Sequence, residues 1–135
     1  MEDILIEFFK KMDLNPPTTR QIIDYVQAQL SFKLPDDYIE FMLHANGAEG
    51  RFGNSYMQIW CVENIIPWTK ECEINLYIPG ILVFGSSGGG MDYAFDYRKN
   101  DIKIIEIPDD SIHIEESCIY GNNFCSFLQY IYDHE

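Results

Sequence analysis

Apolar residues recur at helical spacing in three successive segments of the first third of the chain. The first segment covers residues 4–12 and is stopped by the Asn-Pro-Pro sequence at 15–17. The second follows Thr18-x-x-Gln21, which has the form of a capping box. The third opens at residues 34–37, where a proline suits the first helical turn and two aspartates favour the positive end of the helix. The pattern therefore predicts three N-terminal helices.

The third predicted helix has the clearest buried stripe. Tyr38, Phe41, Met42 and Ala45 recur at a spacing that places them on one face. The Asn-Gly pair at 46–47 is a plausible stop, because both residue types tolerate the left-handed conformation that ends helices.

The pattern changes after residue 47 to that of strands. Residues 47–53 contain three glycines and predict a loop. Residues 56–62 are rich in β-forming and aromatic residues and predict a strand that ends near Trp60 and Cys61. A short helical turn, broken at Pro67, is predicted over 63–68, and a strand buried on both faces over 81–84. Further strands are predicted at 91–97, 102–107 and, more briefly, 112–114.

A final helix is predicted after Asn122 or Asn123, either of which can cap it. Its apolar stripe is formed by Phe124, Phe127, Leu128 and Ile131. Helices, then a strand meander, then one helix indicate an α+β fold: a mostly antiparallel sheet of about four to six strands, packed by the N-terminal helices and the C-terminal helix. We expect one domain over residues 1–135.

The charge of the chain narrows the possible partners. Nine Lys and Arg against 22 Asp and Glu give a formal net charge of −13. Such a surface repels phosphate backbones and anionic lipids, so nucleic acid and membranes are not expected partners. It attracts a basic protein; the alternative is that the charge only maintains solubility.

Cysteines and histidines give no sign of a metal or cofactor site. Cys61, Cys72, Cys118 and Cys125 include no CxxC pair and are typical of a reducing compartment. The acidic N-terminus lacks the pattern of a signal peptide, and no apolar run approaches the ~20 residues of a membrane span. We therefore expect a cytoplasmic protein without metal or cofactor.

Residues 85–89 have the G-x-S-x-G form of a hydrolase nucleophile elbow, which would make Ser87 the nucleophile. That motif requires a helix after the serine, whereas residues 91–97 predict a strand. A glycine-rich connection between strands is the favoured alternative.

Aromatic and acidic residues alternate in the middle of the chain. Trp60 and Trp68 bracket Glu63 and precede Glu71 and Glu73. This composition is typical of a binding hot spot for a basic protein surface, so these five residues are the predicted partner-binding set. The alternative is that both tryptophans belong to the core.

Three motifs, in order, resemble the SUKH superfamily, which includes the fungal cell-wall-assembly regulator domain. Residues 34–47 are similar to its "LPxxYxxFLxxxNG" helix, residues 81–96 to its "IGxxGGGxxYAxD" hairpin, and residues 117–128 to its closing "SFxxFL" helix. The resemblance implies a curved sheet backed by helices and no catalytic residues. The motif positions, interpreted as structural, are Leu34, Pro35, Tyr38, Phe41, Asn46, Gly47, Gly85, Gly88, Gly89, Asp92 and Asp96.

The resemblance also implies a function, because many bacterial members look like immunity proteins that neutralise toxin domains, often nucleases. The first hypothesis is a non-catalytic immunity protein, monomeric or weakly dimeric, for a basic toxin domain. The alternatives are a regulatory scaffold without a toxin partner and, remotely, a serine hydrolase using Ser87.

Overall fold

The computed structural model describes residues 9–71, 80–99, 101–108, 118–121 and 123–134. Its helices are α1 (Arg20–Gln27), α2 (Asp36–His44), α3 (Ile65–Glu71) and α4 (Phe124–His134), with a 3-10 turn at Val62–Asn64. Its strands are β1 (Met12–Leu14), β2 (Ala48–Phe52), β3 (Ser55–Ile59), β4 (Ile81–Ser86), β5 (Met91–Asp96), β6 (Lys103–Pro108) and β7 (Cys118–Gly121).

The strands form one sheet in the order β1-β2-β3-β4-β5-β6-β7, and each neighbouring pair is antiparallel. The α+β class and the antiparallel sheet predicted from the sequence are confirmed. The described part of the sheet has seven strands where about four to six were expected, because β1, β2 and β7 were not foreseen.

The two faces of the sheet are distinct. The first face carries the main core, where Phe84 and Phe95 stack at 4.5 Å between ring centroids and Tyr38 of α2 meets Phe95 edge-on at 5.1 Å. The second face carries a smaller apolar cluster of Ile81, Val83, Ala94, Ile105 and Ile107. Strand β4 contributes to both clusters, which confirms its prediction as a strand buried on both faces.

The helix predicted over residues 4–12 is wrong at its C-terminal end. Residues 9–11 form a turn and Met12 begins β1, while residues 4–8 lie outside the described part of the chain. The short strand forms because Met12 pairs with Gly50 of β2, and this tertiary pairing overrides the helical periodicity.

Helix α1 begins one residue later than its capping motif predicts. The N-cap is Thr19, whose hydroxyl accepts a hydrogen bond from the Ile22 N–H at 3.2 Å. Thr18 is buried, and its N–H donates to the Met42 carbonyl at 3.1 Å, which fixes it against α2. The N-cap is therefore Thr19 instead of Thr18, and the helix begins at Arg20.

Helix α2 buries Tyr38, Phe41 and Met42, and Ala45 follows at its C-terminus, as predicted. Pro35 occupies the N-cap instead of the first turn.

Residues 48–52, predicted as a loop, form β2 of a hairpin with β3. The strand predicted to end near residues 60–61 ends at Ile59. Pro67 does not break the following helix. It is the third residue of α3. A backbone N–H in the first turn of a helix has no intrahelical acceptor, so a proline there removes no helical hydrogen bond.

The remaining strands lie close to their predicted positions. The glycine-rich connection occupies residues 87–90, because β4 continues through Ser86. Asn123 caps α4 by accepting from the Ser126 N–H at 2.8 Å, and the stripe predicted for this helix is buried. Asn122 and the strand predicted at 112–114 lie outside the described residues.

Candidate partner-binding surface

Asn46 fixes the segment that leads to the predicted binding residues. Its Oδ1 accepts from the Val62 N–H at 2.9 Å, and its Nδ2 donates to Glu63 Oε1 at 2.6 Å. The Asn46 carbonyl also accepts from Asn15 Nδ2 at 3.0 Å. The buried Asn46 thus joins the end of α2 to the 3-10 turn through its side chain and to the residue after β1 through its backbone carbonyl.

Gly47 allows the end of β3 to approach the backbone that follows α2 closely. Its φ is +96°, and a Cβ at this position would lie 2.4 Å from the Ile59 carbonyl oxygen. Only glycine meets both conditions without strain. Gly47 therefore places the end of β3, where Trp60 follows, against the segment after α2. The helix itself ends at His44 with an extended Ala45 as its C-cap, before the Asn-Gly pair that was predicted to stop it.

Trp60 and Trp68 meet edge-to-face, with ring centroids 5.2 Å apart at 74°. Trp60 is half-buried and packs against both apolar clusters, whereas Trp68 on α3 is 43% exposed. Helix α3 is attached to β4 by Thr69, whose hydroxyl accepts from the Val83 N–H at 2.9 Å and lies 3.2 Å from its carbonyl oxygen. Trp60 is thus partly core, and Trp68 is presented on the surface.

A groove of about 350 Å³ lies beside the tryptophan pair. Its other walls include Glu49 of β2, Gln58 of β3 and Asn15. No lysine or arginine lines it among the described residues. The groove therefore combines indole surface with a carboxylate and amides.

The strand register places a second acidic residue, Asp13, beside the Glu49 that lines the groove. Asp13 of β1 pairs with Glu49, and Glu49 pairs with Gln58, so the three share the second face of the sheet. Carboxylates at directly opposed positions repel each other. This wall is favourable for a cation.

Tyr56 holds the Glu49 carboxylate in place by donating its hydroxyl hydrogen to Glu49 Oε1. This hydrogen bond raises the pKa of Tyr56, so the phenol stays protonated as a donor. Gly88 packs on the ring: a Cβ there would lie 2.6 Å from Tyr56 Cδ1. The glycine-rich turn therefore supports the acidic wall of the groove.

The predicted binding residues fall on two sides of α3. The structure brings Trp60 and Trp68 together at the first groove. Glu63 lines a second groove of about 300 Å³, together with Tyr25 and Ile66. Glu71 is exposed at the end of α3, and Glu73 lies outside the described residues.

Sequence reasoning missed Glu49 and Gln58, and it counted Tyr56 only as one of the aromatics around the predicted binding residues. They lie on the β2–β3 hairpin, half of which was predicted as a loop. The alternation of buried Met57 and Ile59 with Tyr56 and Gln58 was the available signal.

Ser87 lies in the β4–β5 turn, where its hydroxyl accepts from the N–H groups of Gly89 at 3.1 Å and Met91 at 3.3 Å. Strand β5 follows it, so the strand–turn–helix of a nucleophile elbow is not formed.

The motif glycines at 85 and 89 differ in the space around them. A Cβ on Gly89 would meet nothing closer than Ser87 Oγ at 3.7 Å, whereas one on Gly85 would lie 2.4 Å from the Gln58 carbonyl oxygen.

The two aspartates of the hairpin motif lie on β5. Asp92 pairs with Ser86, at the end of the hairpin nearer the groove. Asp96 accepts from Arg98 Nε at 2.9 Å and Arg98 Nη2 at 2.8 Å. Burial works to raise the pKa of Asp96, but the hydrogen bonds from Arg98 outweigh it and the pKa lies below its usual value.

The Tyr38 phenol in the main core and the Cys61 thiol in the groove both stay neutral. Complete burial raises the pKa of Tyr38 far above the physiological range. Partial burial and then the nearby Glu63 carboxylate raise the pKa of the Cys61 thiol, which disfavours the reactive thiolate.

Within the described residues, no three His, Cys, Asp or Glu side chains gather in a way that could hold a metal ion. Over the same part of the chain, none of the helices has the length and apolar character needed to cross a membrane.

Comparison with known proteins agrees with this architecture. Residues 17–129 match the family model described as the SMI1 / KNR4 family (SUKH-1). The match spans all three motifs and includes the whole tryptophan groove apart from Asn15, and it ends within α4. A comparison with curated proteins gives no match.

Proposed function

Because the chain belongs to the SMI1 / KNR4 family (SUKH-1), whose domains are of the immunity and interaction type and generally non-catalytic, we propose that it is an immunity protein that binds and neutralises a basic toxin domain. The observation that carries this proposal is the groove that Trp60, Trp68 and Glu49 line together.

The groove has the composition of a binding hot spot. Tryptophan is among the residues most enriched where interface energy is concentrated, and Trp68 is 43% exposed on a helix anchored to the sheet. An anchored side chain loses little conformational freedom when a partner covers it. Trp68 is therefore suited to a high-affinity contact.

The charge of the chain supports a basic partner. A net charge of −13 steers a positively charged protein toward it and accelerates the encounter. A toxin that acts on nucleic acid is basic where it holds phosphate, and an acidic inhibitor covering that patch would block its substrate. The proposed place of action is the cytoplasm, which suits Cys61 and Cys125 as thiols.

Co-expression with the protein encoded by the adjacent gene tests the proposal. We expect the chain to restore growth of cells that produce that protein and to co-purify with it. The association rate should fall markedly between ~50 mM and ~500 mM salt, because the Debye length shrinks over this range. Lack of both rescue and co-purification would contradict the proposal. Co-purification of a non-toxic partner would instead support an interaction protein without a toxin.

A further inference from the structure

Resting on the proposed function, we propose that the tryptophan groove recognises one arginine side chain of the protein partner, with the guanidinium stacked on Trp68 and hydrogen-bonded to Glu49. The groove volume of about 350 Å³ accommodates a single long side chain with a few water molecules.

The aromatic wall favours a flat cation. Trp68 meets Trp60 edge-to-face and is 43% exposed, so part of its indole surface is accessible to a partner. Tryptophan is the strongest cation–π partner among the side chains. Arginine stacks on such a surface with its whole guanidinium plane, whereas lysine brings a compact, strongly hydrated ammonium.

The polar wall of the groove also favours a guanidinium group. Tyr56 orients the Glu49 carboxylate through one oxygen, and a carboxylate accepts more than one hydrogen bond. A guanidinium carries five N–H donors in a fixed fork, which matches a carboxylate and the neighbouring amide oxygens of Gln58 and Asn15.

The charges around the groove are complementary to a cation. Asp13 and Glu49 occupy directly paired positions, and their mutual repulsion is relieved when a positive group lies between them and the solvent. Arg51 lies two residues along β2 and pairs with Tyr56, so one cation shares this face with the two carboxylates. The local balance at the groove remains negative.

Short peptides test the inference without any toxin. The probes are acetyl-Gly-Arg-Gly-amide and its lysine and citrulline counterparts, titrated while the indole N–H signals are followed by NMR. Trp60 and Trp68 are the only two tryptophans of the chain, so both signals report on the groove. We expect saturable shifts with the arginine peptide at millimolar concentration, as befits a single side chain. Binding of the lysine and citrulline peptides should be at least about fivefold weaker.

Glu49→Gln should weaken binding of the arginine peptide at least about fivefold, because it removes the charged acceptor without changing its size. Asp24→Asn is the matched control: it removes one exposed charge from α1 and should leave the affinity within about twofold. Circular dichroism confirms that both variants are folded. Equal affinity for arginine and lysine peptides, equal effects of the two substitutions, or no saturable shift would overturn the inference.

The toxin experiments separate this inference from the proposed function. Should the adjacent gene product bind with the same affinity to wild type and to Glu49→Gln, the arginine site fails while the immunity function stands. Should the arginine peptide bind while no partner is captured, the immunity function fails and the arginine site stands.

Discussion

The carboxylate of Asp37 caps the helix that begins at Phe124, although 87 positions separate the two residues. Asp37 Oδ1 accepts from the Phe124 N–H at 3.1 Å and Oδ2 accepts from the Cys125 N–H at 2.8 Å. A carboxylate at a helix N-terminus satisfies unpaired donors and interacts favourably with the helix dipole. The same aspartate lies in the first turn of α2, so one side chain serves the starts of two helices and joins the first motif of the family to the last.

Removal of this carboxylate should loosen α4 from α2. We predict that Asp37→Ala lowers the free energy of unfolding by about 1–2 kcal/mol, the range typical of a lost cap. Asp36→Ala is the matched control: its neighbouring carboxylate makes an exposed pair with Lys33 and should have a much smaller effect. Urea unfolding measures both. Equal effects would show that general helix-end charge matters and the α4 cap does not.

Gly47 should tolerate no side chain. Gly47→Ala adds a Cβ 2.4 Å from the Ile59 carbonyl oxygen at a φ of +96°, and we predict a loss of about 2–4 kcal/mol of stability. At Gly90, φ is +101° but a Cβ would meet nothing within 4 Å. Gly90→Ala therefore isolates the cost of backbone strain, expected to be about 1 kcal/mol. Similar melting temperatures for the two variants would contradict the close approach of β3 to the end of α2.

Replacement of Asn46 should lower the stability of the fold and change the environment of the tryptophans in the groove. Asn46→Ala leaves the Val62 N–H without its acceptor, and we predict a loss of about 2–3 kcal/mol in the free energy of unfolding. Because the segment leading from Trp60 to α3 loses its attachment, the indole signals in NMR spectra should also shift. Asn54→Ala, at an exposed turn, should change neither quantity. Unchanged indole signals in a folded Asn46→Ala protein would contradict the claim that the Asn46 hydrogen bonds position the tryptophan groove.

Asp96 should contribute a pH-dependent part of the stability. Its pKa in the folded protein lies below the usual 3.8, so its contribution is present above that value and is lost as the pH falls through the folded-state pKa. We predict that Asp96→Asn costs about 1 kcal/mol at neutral pH and that the difference from wild type shrinks as the pH falls below 3.8. Urea titrations from pH 7 down to about pH 2 measure it. A constant difference across this range would exclude ionisation of Asp96 as the cause.

The sequence predicts those parts of the fold that are stabilised by their own pattern. The stripe of α2 at Tyr38, Phe41 and Met42 follows helical periodicity, and the apolar runs of β4 and β6 are those of buried strands. For these elements, local preference and tertiary burial agree, so periodicity alone is sufficient.

The first two strands could not be predicted in this way because they depend on contacts distant in sequence. Residues 48–52 contain Gly50, whose φ is +142°, and a Cβ there would lie 3.2 Å from Met12 Cα. The glycine that reads as a loop signal is needed for the close approach of β1 to β2. The same reason explains why half of the groove was missed. The tryptophans are visible by composition, whereas Glu49 joins them only through strand register.

The most direct test of the account is the affinity of the adjacent gene product for two variants with similarly exposed aromatics. Trp68 is 43% exposed beside the groove, and Tyr130 is 41% exposed on α4. We predict that Trp68→Ala raises the dissociation constant at least about 30-fold, as expected for a hot-spot tryptophan. Tyr130→Ala should leave it within about threefold. Equal dissociation constants for wild type and Trp68→Ala, measured by calorimetry on folded proteins, would contradict the claim that this chain binds its partner through the tryptophan groove.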